Sequence, residues 1–110
     1  LPDTPQGKII SAYLEAFNSD NAEKMKEFFT TNLSEESLRR RPIEERLQVY
    51  HQMFNNLGGI ELKEVLAVAP NSISILTKRS KGEWQKFEFE FTLQSPIKLV
   101  GVANQTAEPR

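Results

Sequence analysis

The octapeptide KFEFEFTL, residues 86–93, alternates polar and apolar side chains at every position. Side chains of a β-strand point alternately to its two faces, so this stretch predicts a strand with three phenylalanines on one face and two glutamates on the other. Three phenylalanine side chains in a row are removed from water only if another layer of the protein covers them. The rest of the sequence must therefore supply that layer.

The composition limits the classes of function. The 110 residues suffice for one domain with a single core, and 14 basic against 15 acidic residues leave a net charge of −1. A near-neutral chain generates no field that attracts nucleic acid or an anionic membrane, and without cysteine it has no disulfides or zinc–cysteine sites. No apolar run approaches the roughly 20 residues of a membrane helix. We expect no nucleic-acid or membrane partner, no cofactor and no metal.

The first half of the chain repeats apolar side chains at helical spacing, which predicts helices over about residues 5–57. Thr4, followed by a proline, is typical of a helix start. Asp20 and Glu23 match a capping box that opens a second helix. Gly58 is typical of the end of the last helix. The helices therefore precede the strand quoted above.

After residue 59 the apolar side chains recur at every second position instead. Four such segments lie over about residues 60–103, separated by the short turn sequences PN, SKG and QSP. Connections this short predict an antiparallel meander. The polar sequence 104–110 is expected to form a tail after the sheet.

The turn at residues 80–82 predicts the strand register, because a three-residue hairpin there pairs Ile75 with Phe87 and Ile73 with Phe89. The same counting across the other turns gives the pairs Val68–Ile73, Leu66–Ile75, Leu99–Phe91 and Gly101–Phe89. These pairings place nine apolar side chains on one inner face: Leu66, Val68, Ile73, Ile75, Phe87, Phe89, Phe91, Leu93 and Leu99. The sequence therefore predicts an α+β fold with helices on a curved four-stranded sheet.

The opposite, outer face of the sheet is only partly polar. It carries Lys86, Glu88 and Glu90, but five apolar side chains are also expected there: Val65, Leu76, Trp84, Val100 and Val102. A sheet face that merely meets water alternates more strictly, so this patch favours an interface with a second copy or a neighbouring domain. The competing interpretation is an open face on which Lys78 lies over Trp84 as a cation–π pair.

Glu64 is the sharpest anomaly, because strict alternation points its carboxylate into the apolar interior. A buried carboxylate is costly unless it is paired, and burial raises its pKa toward the range of a general base. Two other interpretations compete: a β-bulge near Lys63 turns Glu64 outward, or water already reaches that end of the sheet. If Glu64 points inward, the sequence predicts a ligand pocket lined by Glu64, Thr77, Gln85, Phe87, Phe89 and Tyr50.

Other candidate catalytic groups are few. His51 is the only histidine and falls at the edge of a helical stripe beside Tyr50, where it could shuttle a proton or simply pack. Arg46 and the run of arginines at 39–41 could clamp a phosphate or an acidic partner. Glutamates flank the run on both sides, which favours a solvated helix face with local ion pairs.

The segment AYLEAFNSDNAEKMKEFF, residues 12–29, resembles the first two helices of the nuclear-transport-factor-2-like, or cystatin-like, superfamily. The similarity continues through RRPIEER and LGGIELKEV, and it is closest to a short form found ahead of the catalytic domain in secreted bacterial serine hydrolases of β-lactamase-like or processing-peptidase type. The resemblance implies a cone-shaped fold, a secreted or periplasmic location and a linker role for NQTAEPR. A cytoplasmic location stays open.

These patterns lead to two hypotheses of function. The first is a non-catalytic accessory domain that associates through the outer sheet face, as a homodimer or with an adjacent domain of its parent protein. The second is a binder of a small apolar ligand, or an isomerase- or dehydratase-like enzyme, which uses the interior with Glu64 as base and His51 or Tyr50 as its companion.

Overall fold

The computed structural model of the protein describes residues 1–108. Its elements are α1 (Pro5–Asn18), α2 (Ala22–Asn32), α3 (Glu35–Arg40), α4 (Ile43–Leu57), β1 (Ile60–Ala69), β2 (Ser72–Arg79), β3 (Trp84–Phe91) and β4 (Leu99–Ala107). The strands form one antiparallel sheet in the order β1-β2-β3-β4. The predicted α+β class, the order of helices before strands and the meander are therefore confirmed. Four helices packed on such a sheet are compatible with a cone.

The helix starts follow local capping chemistry. The Thr4 side chain accepts a hydrogen bond from the Gly7 N–H, and a proline opens α1 as predicted. The cap of α2 is Asn21 rather than Asp20, because Asn21 Oδ1 accepts from the N–H groups of the next turn at 2.9 and 3.2 Å. Asp20 instead takes a left-handed conformation with φ of 51°, which turns the chain between α1 and α2. The predicted capping box is therefore wrong, since the N-cap lies one residue later and the third helical position is then Lys24 instead of Glu23.

A side-chain amide joins the helical layer to the sheet. Asn18 Nδ2 donates to the Ile60 carbonyl and Asn18 Oδ1 accepts from the Ile60 N–H, both at 2.8 Å. The amide thus satisfies both backbone groups of the first residue of β1, as a neighbouring strand would. It fixes the end of α1 against the start of the sheet.

The register between β2 and β3 is the predicted one: Ile73 lies opposite Phe89, and Ile75 lies opposite Phe87. The predicted pair of Val68 with Ile73 is also present. These pairs hold because the intervening turns contain no extra residue that would shift the alternation.

Two register shifts in β1 overturn the rest of the prediction for that strand. They fall between Leu62 and Glu64 and between Val65 and Ala67. As a result Val65, and not Leu66, lies opposite Ile75 on the inner face. Glu64 lies opposite Leu76, which alternation places on the outer face. The prediction that Glu64 points inward is wrong, and the competing interpretation of a bulge near Lys63 is correct.

The β4 strand contains one further shift, between the partners of Glu90 and Phe91. Leu99 pairs with Phe91 as predicted, but Val102 rather than Gly101 lies opposite Phe89. Val102 therefore joins the inner face, where it packs against the core. The strand also continues to Ala107, so residues 104–107 belong to the sheet and not to the predicted tail. Residues 109–110 of that tail lie outside the described part of the chain.

The phenylalanines of the opening octapeptide are covered by α1 and α2. Phe87 and Phe89 have no exposed surface, and the ring centroids of Tyr13 and Phe89 are 5.2 Å apart in an edge-to-face contact. Phe17 also lies edge-to-face with Phe87 at 6.4 Å, and Phe28 of α2 contacts Tyr13 at 5.5 Å. Such contacts add to the free energy gained by burying the rings.

The cover does not extend over the whole predicted inner face. Val68 is 59% exposed near the end of β1, and Leu93 is 71% exposed beyond the end of β3. Leu66 occupies a bulge and is half-buried. The core is therefore the central part of the sheet, where α1 and α2 lie.

Replacing Asn18 by alanine removes both hydrogen bonds to Ile60, and we expect the free energy of unfolding to fall by about 1–3 kcal/mol. Urea denaturation measures this loss. Asn56→Ala, an exposed asparagine near the end of α4, is the matched control for helix propensity. Equal stability of the two variants would contradict the role assigned to Asn18.

Candidate functional site

Five of the six residues predicted to line a ligand pocket are buried in the core, and the sixth, Glu64, is exposed on the outer face. Thr77 and Phe87 have no exposed surface, and Gln85 is 4% exposed. The Thr77 hydroxyl donates to the Gln85 carbonyl at 2.8 Å, which satisfies its polar group inside the sheet. Together with Phe89, these side chains leave no free surface at the centre of the sheet for a substrate.

One polar atom among these buried side chains, Gln85 Oε1, has no hydrogen-bond partner. Gln85 Nε2 donates to Asn104 Oδ1 at 2.6 Å, but Gln85 Oε1 is enclosed without a hydrogen bond. Among residues 1–108 it is the only enclosed side-chain N or O atom in that condition. Because the hydrogen bond of Nε2 fixes the orientation of the amide, Oε1 stays enclosed without a hydrogen bond. An acceptor left unsatisfied in this way lowers the stability of the folded state.

The three candidate catalytic residues do not form one site. Glu64 is exposed on the outer face, and His51 is exposed on α4. Tyr50 is buried, and its hydroxyl donates to the Phe17 carbonyl at 2.8 Å. These placements give no support to a general base acting inside the fold.

The structure does contain a small cavity elsewhere, between α2, α4 and β4. Its volume is about 80 Å³. Its apolar lining consists mainly of Met25, Phe29, Leu33, Met53, Leu99 and Val102. The exposed residues Arg41 and Val49 mark its mouth, whereas the buried Tyr13 and Tyr50 lie at the inner end. We call this space the α2–α4 cavity.

Tyr13 brings an unused polar group to the α2–α4 cavity. No hydrogen bond joins its hydroxyl to any of residues 1–108, and the hydroxyl is not among the fully enclosed atoms. Burial, and secondarily the neighbouring Tyr50, raises the pKa of Tyr13 well above its ordinary value. The hydroxyl therefore stays protonated and can donate to a molecule in the cavity.

Arg46 is held at the wall of the α2–α4 cavity by the end of α3. Its Nη2 donates to the Ser37 carbonyl at 2.7 Å and its Nε to the Arg41 carbonyl at 2.9 Å. The α3 helix is itself tied to β4, since the Ser37 hydroxyl donates to the Val100 carbonyl at 2.7 Å. The guanidinium is thus fixed before any ligand arrives.

Of the four arginines that the sequence suggested would form local ion pairs, only one does so within the described part of the chain. Arg39 lies 4.0 Å from Glu35 in an exposed pair. For Arg40, Arg41 and Arg46, no carboxylate among residues 1–108 lies within that distance. Burial, followed by the charges of Arg41 and Arg40, lowers the pKa of Arg46. The local ion pairs favoured by the sequence are therefore present for Arg39 but not for the arginines at the cavity.

The five residues predicted for the outer face divide into three groups. Leu76 and Trp84 lie on that face, with the Lys78 ammonium 5.6 Å from the centre of the Trp84 ring, as the cation–π interpretation expected. Val65 and Val102 pack against the core instead, because the bulges reverse their direction. The fifth residue, Val100, is half-buried at the bulge of β4.

The outer face has two halves of different size. The first, which we call the bulky half, contains Glu64, Leu76, Lys78, Trp84 and Lys86. The second, the small half, contains Ala67, Ala69, Ser72, Ser74, Gly101 and Ala103 on either side of Glu88 and Glu90. Gly101 and Ala103 line a shallow depression there beside Glu88 and Glu90, and a Cβ built on Gly101 would meet open space.

Comparison with known proteins gives no assignment: no family model matches the chain, and no curated protein matches it significantly. Within residues 1–108, no helix has the length and apolar character needed to span a bilayer. The same part of the chain contains no cluster of three or more histidine or carboxylate side chains that could hold a metal ion. The α2–α4 cavity and the outer face of the sheet are therefore the two features of the structure that bear on function.

The buried tyrosines predict a loss of stability in alkali. Both Tyr13 and Tyr50 have a pKa raised above 10.0, chiefly by burial, so the unfolded chain releases their protons first. Stability is fully present below pH 10 and falls above it, and Tyr13 alone contributes up to about 1.4 kcal/mol per pH unit to this fall. Urea denaturation on both sides of that pH measures the slope. Tyr13→Phe should reduce the slope, and an unchanged slope would contradict the assignment.

Proposed function

We propose that the chain is a non-catalytic interaction domain that forms a two-fold dimer through the outer face of its sheet. The observation that carries this proposal is the division of that face into a bulky and a small half. A two-fold interface places the same patch of both copies in contact, so a self-complementary patch is what it requires. The filled centre of the fold also favours binding at the surface over catalysis inside.

In this dimer the outer faces of the two sheets meet, and the two-fold axis lies in the plane between them and runs across the strands. Rotation about this axis places the bulky half of each copy on the small half of the other. With the axis between the levels of Lys86 and Glu88, each Lys86 faces Glu88 of the second copy. Leu76 and Ser74 are already buried within one copy, so the half-buried Trp84 is the larger side chain that enters the depression beside Gly101. Packed sheets keep their strands within about 30° of each other, which this arrangement satisfies.

The available area is also suitable. Four strands of about eight residues cover roughly 19 by 26 Å, or about 500 Å² in projection. Leu76 and Ser74 at the centre of this face are already buried within one copy, so each copy contributes about its projected area, and the two copies together bury about 1,000 Å², the lower end of the range for a specific interface. Two opposite charges facing each other at two symmetric positions would add specificity and fix the register.

The resemblance to the N-terminal modules of secreted bacterial serine hydrolases supports a wider proposal. We place this domain among the cystatin-like cones, in a periplasmic or secreted parent protein that carries a hydrolase domain. Dimerisation through the outer face would then bring two such catalytic domains together. An adjacent domain covering the same face is the alternative occupant.

The predicted pairing is tested by charge reversal. Lys86→Glu and Glu88→Lys each place like charges opposite each other twice, so each should weaken the dimer by about tenfold or more. The double variant Lys86→Glu with Glu88→Lys restores opposite charges and should restore the dimer. Sedimentation equilibrium measures the dissociation constants. Lys8→Glu, an exposed charge reversal on α1, is the control and should change nothing.

Ala103→Arg tests the depression separately, because a long side chain on the small half blocks the approach of the second copy without touching the core. We expect a monomer with the native circular-dichroism spectrum. A monomeric native chain would overturn the proposal of a homodimer. A dimer that is indifferent to both single charge reversals would overturn the assignment of the outer face as its interface.

A further inference from the structure

We infer that the α2–α4 cavity binds a small organic acid, with a short branched apolar body inside the cavity and its carboxylate at Arg41 and Arg46. This inference does not rest on the proposed dimer, because the cavity lies on the helical side of the sheet. The two proposals can therefore fail independently.

The volume of the cavity limits the size of the apolar part of the ligand. Cavities of about 150 Å³ lined by apolar side chains bind benzene. A volume of about 80 Å³ is about half of that, which suits a branched group of three or four carbon atoms. Met25 and Met53 in the wall can adjust to such a group because their side chains are unbranched and flexible.

The charge at the mouth sets the chemistry of the head group. Arg41 and Arg46 line the cavity, and no carboxylate of residues 1–108 neutralises them. A guanidinium binds a carboxylate through two parallel hydrogen bonds, and Arg46 is already held in place by the carbonyls of Ser37 and Arg41. A bound anion would relieve the repulsion between these arginines.

Tyr13 supplies the third element. Its hydroxyl has no hydrogen-bond partner among the described residues, and Tyr13 lines the same cavity, so the hydroxyl is available to donate to an oxygen of the ligand. An apolar cavity with one fixed cation at its wall, a second cation at its mouth and one free hydroxyl has the usual composition of a small-molecule site.

The probe is isovalerate, titrated into the whole 110-residue chain and followed by amide chemical shifts in nuclear magnetic resonance spectra. Isoamyl alcohol has the same body without the charge, isoamylammonium has the opposite charge, and acetate has the charge without the body. We expect saturable shifts around α4 and β4 with isovalerate, and at least about tenfold weaker binding of the other three.

The matched variants are Arg41→Gln and Arg39→Gln, which remove equal charges from neighbouring exposed positions. Arg41→Gln should weaken isovalerate binding by about tenfold, because it removes a charged hydrogen bond, whereas Arg39→Gln should leave it unchanged. Tyr13→Phe should weaken binding by several-fold while the chain stays folded. Arg46 also supports the end of α3, so it is not a clean position to change.

Three outcomes would overturn the inference. Equal binding of acetate would indicate a bare anion site, and equal binding of isoamyl alcohol would indicate an apolar cavity without a role for the arginines. No shift with isovalerate at any accessible concentration would mean that the cavity holds only water.

Discussion

The packing of Phe87 and Phe89 against Tyr13 and Phe17 is the interaction on which the fold depends. These four rings join the centre of the sheet to the first helix, and all of them are buried. Their burial fixes which face of β3 turns inward, and the hydrogen-bonded partners of β3 must then follow the same alternation. The orientation of the other strands is set by this one choice, except where a bulge interrupts it.

The sequence predicts the direction of side chains correctly where the alternation is unbroken, and incorrectly where a bulge interrupts it. The pair of Ile75 with Phe87 could be derived because a three-residue turn and an unbroken alternation agree. The direction of Val65 could not be derived in this way, because the sequence leaves a bulge near Lys63 open beside strict alternation, and the shift that turns Val102 inward is not expected from the pattern. Periodicity therefore predicts the elements and the central register, but it assigns faces incorrectly beyond each irregularity.

The α2–α4 cavity shows a different limit. The sequence marked Arg41 and Arg46 as possible anion ligands, but flanking glutamates made a solvated helix face the simpler interpretation. Whether those glutamates reach the arginines depends on how α3 meets α4, which no local pattern specifies. Tyr13 likewise reads as a core residue from its spacing, and it is one. Only the packing of its neighbours leaves its hydroxyl without a partner beside a cavity.

A single irregularity in β4 shapes both proposed surfaces. Without the shift beside Glu90, Val102 would point outward, and its branched side chain would fill the depression on the outer face. The same change would take Val102 out of the wall of the α2–α4 cavity and open the cavity toward the sheet. The shift instead places Gly101 outside and Val102 inside. The two surfaces lie on opposite sides of the sheet, so they can act separately, yet both depend on the position of one extra residue in this strand.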